Sequence, residues 1–462
     1  MLCYDIPREL DTNALYMYGQ LNYVPGNSCM IKNVHKLTPG SWLKIDKKSI
    51  TKGNYYSIPK PGNESAENYE SLQKQLYSIL EDAVKIRLVS DVPLGAFLSG
   101  GIDSSIIVAL ASKYTRHLNT FSIGYRDEAF YDETHYAQLV AAKYKTNHTV
   151  FSLSNKDLYE HLFDFLEYID EPFADSSALA FYILSHHTRK KVTVALSGDG
   201  ADELFGGYHK HMAHFKAIHP GLPEKAATLM DPLWKILPKS RLNPFGNKIR
   251  QLYRFSQAYS LSPMERYWRW CSLASEKEIS GLLQIKPDFA KYTIQKEELA
   301  GKCLPGNELN QILYADQHLV LGGDMLVKAD WMSMANSLEA RTPFLDYRLV
   351  DFASKIPSRF KVDGKMKKKI LQDCFREALP TELYNRPKKG FEVPLLKWMQ
   401  NELNPVLKTD LLNPGFLVEQ GIFNPQVVQS LLQQLNSSNP GDTPAKLWGL
   451  LVFQFWWKKF ML

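Results

Sequence analysis

The chain predicts an α/β fold, a doubly wound parallel sheet with helical regions appended to it. Between residues 92 and 198, apolar strand-like runs alternate with stretches of helical spacing, the order expected of parallel strands joined by crossover helices. Two of these strands run into glycine-rich loops, Ser99-Gly100-Gly101-Ile102-Asp103-Ser104-Ser105 and Ser197-Gly198-Asp199-Gly200-Ala201-Asp202-Glu203. Such sheets bind ligands beyond the carboxyl ends of their strands, where both loops fall.

Taken in order, residues 1 to about 60 mix short apolar pieces with the turn signals VPGN, LTPG and TKGNYYSIPKPGN, and the end of this region reads as a linker. Leu72, Leu76, Ile79, Leu80 and Val84 recur at helical spacing, which predicts an amphipathic helix from Tyr69 to Leu88. The apolar run Val92 to Leu98 is the first strand, followed by a helix from Ser104 to Ser112. NTFSIGY, HTVFSL and VTVALSG predict further strands, separated by helical patterns at 133–145 and 177–190.

After about Tyr208 the pattern changes. Residues 210 to 310 are rich in aromatic, proline and basic residues with little strand character, whereas NQILYADQHLVL and KMKKKILQDCFREAL are strongly helical. The run LWGLLVFQFWWKKFML is too short to span a bilayer and is interrupted by Gln454, so it predicts an aromatic-rich core helix. The expected division is a remnant or linker at 1–60, a nucleotide-binding core at 61–215, a helical insertion at 216–310 and a C-terminal helical part at 311–462.

Bulk properties set outer limits. The 462 residues exceed one ordinary core, and a 45% apolar fraction supplies ample material to bury. A net charge of +6 over 55 basic and 49 acidic residues is not gathered into a tail, so no nucleic acid partner is expected, and no membrane partner either. The clearest basic run, Lys365 to Lys369, reads as a solvated helical face. Five scattered cysteines form no C-x-x-C pair and have no histidine at metal spacing, which favours a reducing, cytoplasmic setting.

The chemistry rests on the two loops. Adjacent glycines let the backbone turn tightly and bring several N–H groups to an oxyanion, and the positive end of the following helix adds to that attraction. The first loop therefore reads as a phosphate cradle, without the lysine of G-x-x-x-x-G-K-[ST] or the glycine spacing of G-x-G-x-x-G. Carboxylates aimed at a polyphosphate repel it unless Mg²⁺ lies between them, so Asp103 and Asp202 are expected as metal ligands. Two further segments carry charge near helices or turns: Asp324 to Asp346, with Lys328 and Asp330 in a helical span before the charged turn EARTPFLD, and NRPKKGFEVP, with Lys388 and Lys389 in a Pro-bounded loop.

The first loop is similar to the S-G-G-x-D-S pyrophosphate loop of ATP pyrophosphatases. With KLTPG, SDVPLGAFLSGGIDSSIIVAL, FSIGY, DEPFADSSALA, LSGDGADELFGGY, KADWMSMANSLEARTPFLD and RPKKGF in this order, nearly the whole chain resembles the synthetase domain of glutamine-dependent asparagine synthetases. The resemblance implies an adenine-nucleotide α-hydrolase-like (PP-loop) fold. It also implies that Leu98 and Ile123 line an adenine pocket, that Ser99, Gly100, Gly101, Asp103, Ser104, Ser197 and Gly198 bind ATP, and that Asp103 and Asp202 hold Mg²⁺. Asp199 falls at the acidic position used in forming the β-aspartyl-adenylate and handling the amine's proton. Tyr208 and Lys328 lie near that intermediate by the same resemblance, and Lys388 stabilises negative charge on the phosphates.

Full-length members begin with a glutaminase domain whose catalytic cysteine follows the initiator methionine. Here Leu2 follows Met1, so Cys3 is not read as a nucleophile and that domain is expected to be mostly missing. The implied reaction is adenylation of the aspartate β-carboxylate with release of pyrophosphate, then amidation by ammonia, derived from glutamine in full-length members, to give asparagine and AMP. Two alternatives remain: amidation of another carboxylate, such as a sugar acid of a surface polysaccharide, and a non-catalytic nucleotide-binding module. A homodimer is the candidate assembly.

Overall fold

The computed structural model describes residues 4, 6–62, 64–127, 132–239, 244–301, 309–384 and 393–462. Among these, seven strands are formed: β1 (Ser41–Ile45), β2 (Ile50–Asn54), β3 (Leu94–Phe97), β4 (Asn119–Tyr125), β5 (Asn147–Leu153), β6 (Val194–Leu196) and β7 (Glu339–Arg341). β1 and β2 make a separate antiparallel hairpin. The other five form one sheet in the order β5-β4-β3-β6-β7, and every pairing in it is parallel. The chain order runs outward from β3 on one side and from β6 on the other, so the direction of winding reverses between these two strands. That reversal opens a crevice at their carboxyl ends, and both glycine-rich loops lead out of it.

Successive side chains of a strand point to opposite faces, and here they feed two cores. Ala96, Leu98 and Leu196 pack with α2 (Tyr69–Arg87), α3 (Ile102–Ala111) and α4 (Thr134–Tyr144). Phe97, Phe121, Ile123 and Ala195 pack instead with α5 (Asn155–Tyr168) and α6 (Ser177–Arg189). The helix Thr443–Phe460 buries Leu447, Trp448, Phe453 and Trp456 in this second core, as its apolar run predicts.

Within the region read as a linker, Asp11 accepts from the N–H groups of Asn13 and Ala14, both at 2.9 Å, and starts helix α1 (Thr12–Leu21). Leu15, Tyr16, Met17 and Tyr18 of α1 are buried in the second core, and the Tyr18 hydroxyl donates to the Gly449 carbonyl at 2.7 Å. No helix among the described residues is long and apolar enough to cross a membrane.

Three local readings are corrected. EARTPFLD is more than a charged turn: Glu339–Arg341 forms the edge strand β7 beside β6, too short to show an alternation in sequence. KMKKKILQDCFREAL is helical only over Lys369–Cys374. And Lys365 to Lys369 is not a solvated helical face, because Lys368 sits before that helix with φ of 51° and is buried.

Candidate functional site

The first loop is held in shape by its own polar groups. Ser99 Oγ accepts from the Gly101 N–H at 3.2 Å, Ser104 Oγ accepts from the Ser99 N–H at 3.2 Å, and the two hydroxyls lie 3.1 Å apart. Gly100 adopts φ of +71°, and a Cβ there would lie 2.6 Å from the Ala137 nitrogen, so only glycine fits. Gly101 occupies the cap of α3 and no side chain caps that end. The amides of the first turn of α3 therefore point into the crevice with the positive end of the helix behind them.

The second loop closes on the first. A Cβ on Gly198 would stand 2.8 Å from the Ser104 nitrogen, so glycine lets the two loops approach backbone to backbone. Gly200, with φ of +96°, then turns the chain into the short helix α7 (Ala201–Phe205). This turn brings Asp199 and Asp202 toward Asp103. The clustered glycines thus serve one close approach of two strand ends.

Asp103 and Asp202 converge on a cation supplied by the chain. Lys368 Nζ lies 2.6 and 2.7 Å from the two Asp103 carboxylate oxygens and 2.8 Å from Asp202 Oδ1. Burial disfavours the Lys368 charge, but the two carboxylates outweigh it and raise the ammonium above the ordinary lysine range. The pair expected to hold Mg²⁺ is thus within reach of one cation, which fits the two-carboxylate contribution that Mg²⁺ takes when phosphate oxygens complete its shell. No group of three or more His, Cys, Asp or Glu among the described residues is arranged to hold a metal ion, so protein side chains alone make no closed cage.

Asp199 accepts from Ser197 Oγ at 2.6 Å. Burial raises its pKa; the Lys328 ammonium and the Ser197 hydroxyl pull it down, Asp103 and Asp202 push it up again, and the net direction is upward. Lys328, on the helix Leu326–Met334, donates to Asp175 Oδ2 and Ser177 Oγ, both at 3.0 Å. Its charge is opposed by burial and held by Asp175, Asp324 and Asp199, for a net rise. Asp324 is half-buried, its enclosed Oδ1 has no hydrogen-bond partner, and desolvation together with Asp175 raises its pKa well above the carboxylate range.

Tyr208 follows the second loop and donates to Glu203 Oε1 at 2.5 Å. Glu203 is 1% exposed, and burial, with Asp202 adding to it, lifts its pKa to about 7. Behind Tyr208 the buried Asp316 accepts from Lys210 Nζ at 2.7 Å and from the Tyr267 hydroxyl at 2.6 Å, with His211 Nε2 also 2.6 Å away. The segment from Asp316 passes through a π-helical stretch, Gln317–Met325, before the helix bearing Lys328. Such wide turns often mark functional positions in a helix.

Of the residues expected from sequence, the two loops bring Ser99, Gly100, Gly101, Asp103, Ser104, Ser197, Gly198, Asp199 and Asp202 together. Lys328 reaches the same cluster through Asp199, and Tyr208 through Glu203. Leu98 is wholly enclosed in the first core, and Ile123, 9% exposed, lies on β4 two residues past the pair Phe97 and Phe121. Lys388 and Cys3 lie outside the described residues. Sequence reading missed Lys368, hidden in a basic run, and gave no role to Asp175, although DEPFADSSALA was recognised as a motif.

A profile of the asparagine synthase family matches residues 75–458. The chain is 31% identical over 459 residues to the asparagine synthetase [glutamine-hydrolyzing] 1 of Bacillus subtilis, covering 97% of this chain and 69% of that protein. It is 37% identical over 342 residues to a putative asparagine synthetase [glutamine-hydrolyzing] 2 of Methanocaldococcus jannaschii, covering 71% of this chain and 61% of that one. More distantly it resembles the amidase chyE of Penicillium rubens, at 22% identity over 82% of this chain and 61% of the amidase.

Proposed function

The chain belongs to the asparagine synthase family, and from that membership and the paired loops we propose that it is an ATP-dependent ligase that makes asparagine from aspartate through an acyl-adenylate. The observation that carries this reading is the convergence of Asp103 and Asp202 on the Lys368 ammonium, at the mouth of two loops that leave the carboxyl ends of β3 and β6.

A carboxylate resists attack by an amine because of its negative charge and its oxide leaving group, and adenylation removes both obstacles. In the first step an oxygen of the aspartate β-carboxylate attacks the α-phosphorus of ATP. The bond from that phosphorus to the bridging oxygen breaks, and pyrophosphate leaves. The amides of the first loop and the start of α3 hold the departing pyrophosphate. Lys368 moves from its carboxylate partners onto phosphate oxygens as ATP enters, and Lys388 adds a second cation.

Asp103 and Asp202 would hold Mg²⁺, which when bound would neutralise charge on the phosphates. In the second step ammonia attacks the acyl carbon, the bond to the adenylate oxygen breaks, and AMP leaves. Asp199, whose pKa is raised but which keeps a Ser197 donor on one oxygen, accepts the proton that the nitrogen sheds. Lys328, anchored by Asp175 and Ser177, orients the negative groups around the intermediate.

Incubation of the purified protein with aspartate, ammonium and MgATP is expected to yield asparagine, AMP and pyrophosphate in equal amounts. ADP and phosphate in their place would overturn the adenylation step. Pyrophosphate release with a uronic acid and none with aspartate would move the acceptor to another carboxylate, while the ligase chemistry would stand.

A further inference from the structure

We propose that the exposed faces of the helices Leu222–Leu229 and Asp231–Ile236 form a docking surface for an anionic phospholipid bilayer, by which the protein sits on a membrane without crossing it. Both helices pack on the helix Pro244–Tyr259, and neither buries a single residue. Their inward contact is made by half-buried groups, with the Trp234 indole donating to the Ala227 carbonyl at 2.7 Å. The side chains a soluble helix would turn inward are left outside.

Leu222, Ala226 and Leu229 stand at i, i+4 and i+7, one stripe of the first helix, and all three face solvent. Leu222 and Leu229 are each 84% exposed, Ile236 is 79% and Phe245 is 73%. Apolar side chains scattered singly over a surface need no partner, but large ones gathered on consecutive helices do.

Charge selects the occupant. Among the described residues from 219 to 248, the exposed ionisable side chains are His219, Lys225, Lys235 and Lys248, all basic. The two acids of this stretch are turned inward and engaged, Glu224 with Lys216 at 3.7 Å and Asp231 with Ser256 at 2.5 Å. A second copy pairing through the same face would set lysine against lysine. An anionic lipid surface offers acyl chains for the leucines and phosphates for the lysines, the combination that surface-lying amphipathic helices use. Composition gave no hint of this contact, because a net charge of +6 does not say which face the lysines share with which leucines.

The test is co-sedimentation of the full chain with vesicles of phosphatidylglycerol and phosphatidylcholine in equal parts, against vesicles of phosphatidylcholine alone. Binding is expected to the first only, and to fall when salt is raised to about 0.5 M, where screening shortens to a few ångströms. Leu229→Ser with Ile236→Ser is expected to abolish it with melting temperature and far-ultraviolet circular dichroism unchanged. Lys225→Glu with Lys235→Glu is expected to lower the partition about tenfold or more, since each basic residue near such a surface contributes on the order of 1 kcal/mol. No binding to either vesicle, or binding that the folded serine variant keeps, would overturn the proposal. So would a dimer in sedimentation velocity that the serine variant dissolves without any lipid binding, which would assign the face to a second copy.

Discussion

Lys368 Nζ donates to both carboxylate oxygens of Asp103, at 2.6 and 2.7 Å, across 265 positions of sequence. With Asp202 on its other side, the ammonium offsets one of the two carboxylate charges at the site proposed for the ATP phosphates. Removing it leaves those carboxylates facing each other and the incoming phosphates. Lys368→Met is expected to slow aspartate-dependent pyrophosphate exchange by about 10²-fold or more and to lower unfolding free energy by about 1–3 kcal/mol. Exchange kinetics and urea unfolding measure the two effects, and wild-type exchange in the variant would remove Lys368 from the site.

Asp103→Asn keeps the side chain's shape and removes a charge. If Asp103 is a ligand as proposed, the Mg²⁺ concentration giving half-maximal exchange is expected to rise about tenfold or more, because the hard cation would lose one of two protein carboxylates. An unchanged Mg²⁺ titration would show that Asp103 is no ligand.

Asp199→Asn separates the two half-reactions. Pyrophosphate exchange is expected to persist while asparagine formation falls by about 10²- to 10⁴-fold, the range for loss of a positioned general base. Equal loss of both activities would instead tie Asp199 to adenylation.

Glu203 provides a pH-dependent stability term. Its folded pKa of about 7 stands above its unfolded value of 4.5, so the folded protein holds a proton that the unfolded chain releases between these limits. A raised pKa contributes stability below the unfolded value and loses it as pH climbs through the folded one. From pH 4.5 to 7 the Glu203 contribution therefore falls, by about 2–3 kcal/mol. Glu203→Gln, which keeps an acceptor for the Tyr208 hydroxyl, is expected to flatten this part of the stability profile in urea titrations at pH 5 and pH 8. A slope equal to that of the wild type would refute the assignment.

Gly198 and Gly281 make a matched pair. A methyl on Gly198 meets the Ser104 nitrogen at 2.8 Å, whereas one on Gly281 meets nothing within 4 Å. Gly198→Ala is expected to cost about 1–3 kcal/mol and to abolish measurable ATP binding by calorimetry. Gly281→Ala, in the helix Glu276–Leu282, is expected to stabilise by about 0.5–1 kcal/mol and to leave binding unchanged.

Much of the fold was legible because its signals are local. The run NTFSIGY is β4 residue for residue, and the helix expected from Tyr69 to Leu88 ends one residue earlier, at Arg87. Strand and helix periodicities of this length leave little choice. Edge strand β7 was not legible, since three residues, Glu339 to Arg341, carry no period, and their pairing with Val194 to Leu196 depends on a neighbour more than 140 positions away. Helix α1 was hidden for a related reason: its Tyr16 ring packs on Phe289 and Tyr292 and its Tyr18 hydroxyl bonds to Gly449, partners more than 270 positions away.

By itself the sequence determined the alternation of strands and helices, the two glycine-rich loops and their carboxylates, because backbone freedom at glycine and apolar periodicity are properties of short segments. Only the tertiary structure decided that Lys368 pairs with those carboxylates. In sequence Lys368 is one of five basic or apolar residues in a run that reads as solvated. In space a left-handed turn before a short helix carries its ammonium into a crevice where burial is offset by Asp103 and Asp202, and no local pattern encodes that long-range balance of desolvation and charge.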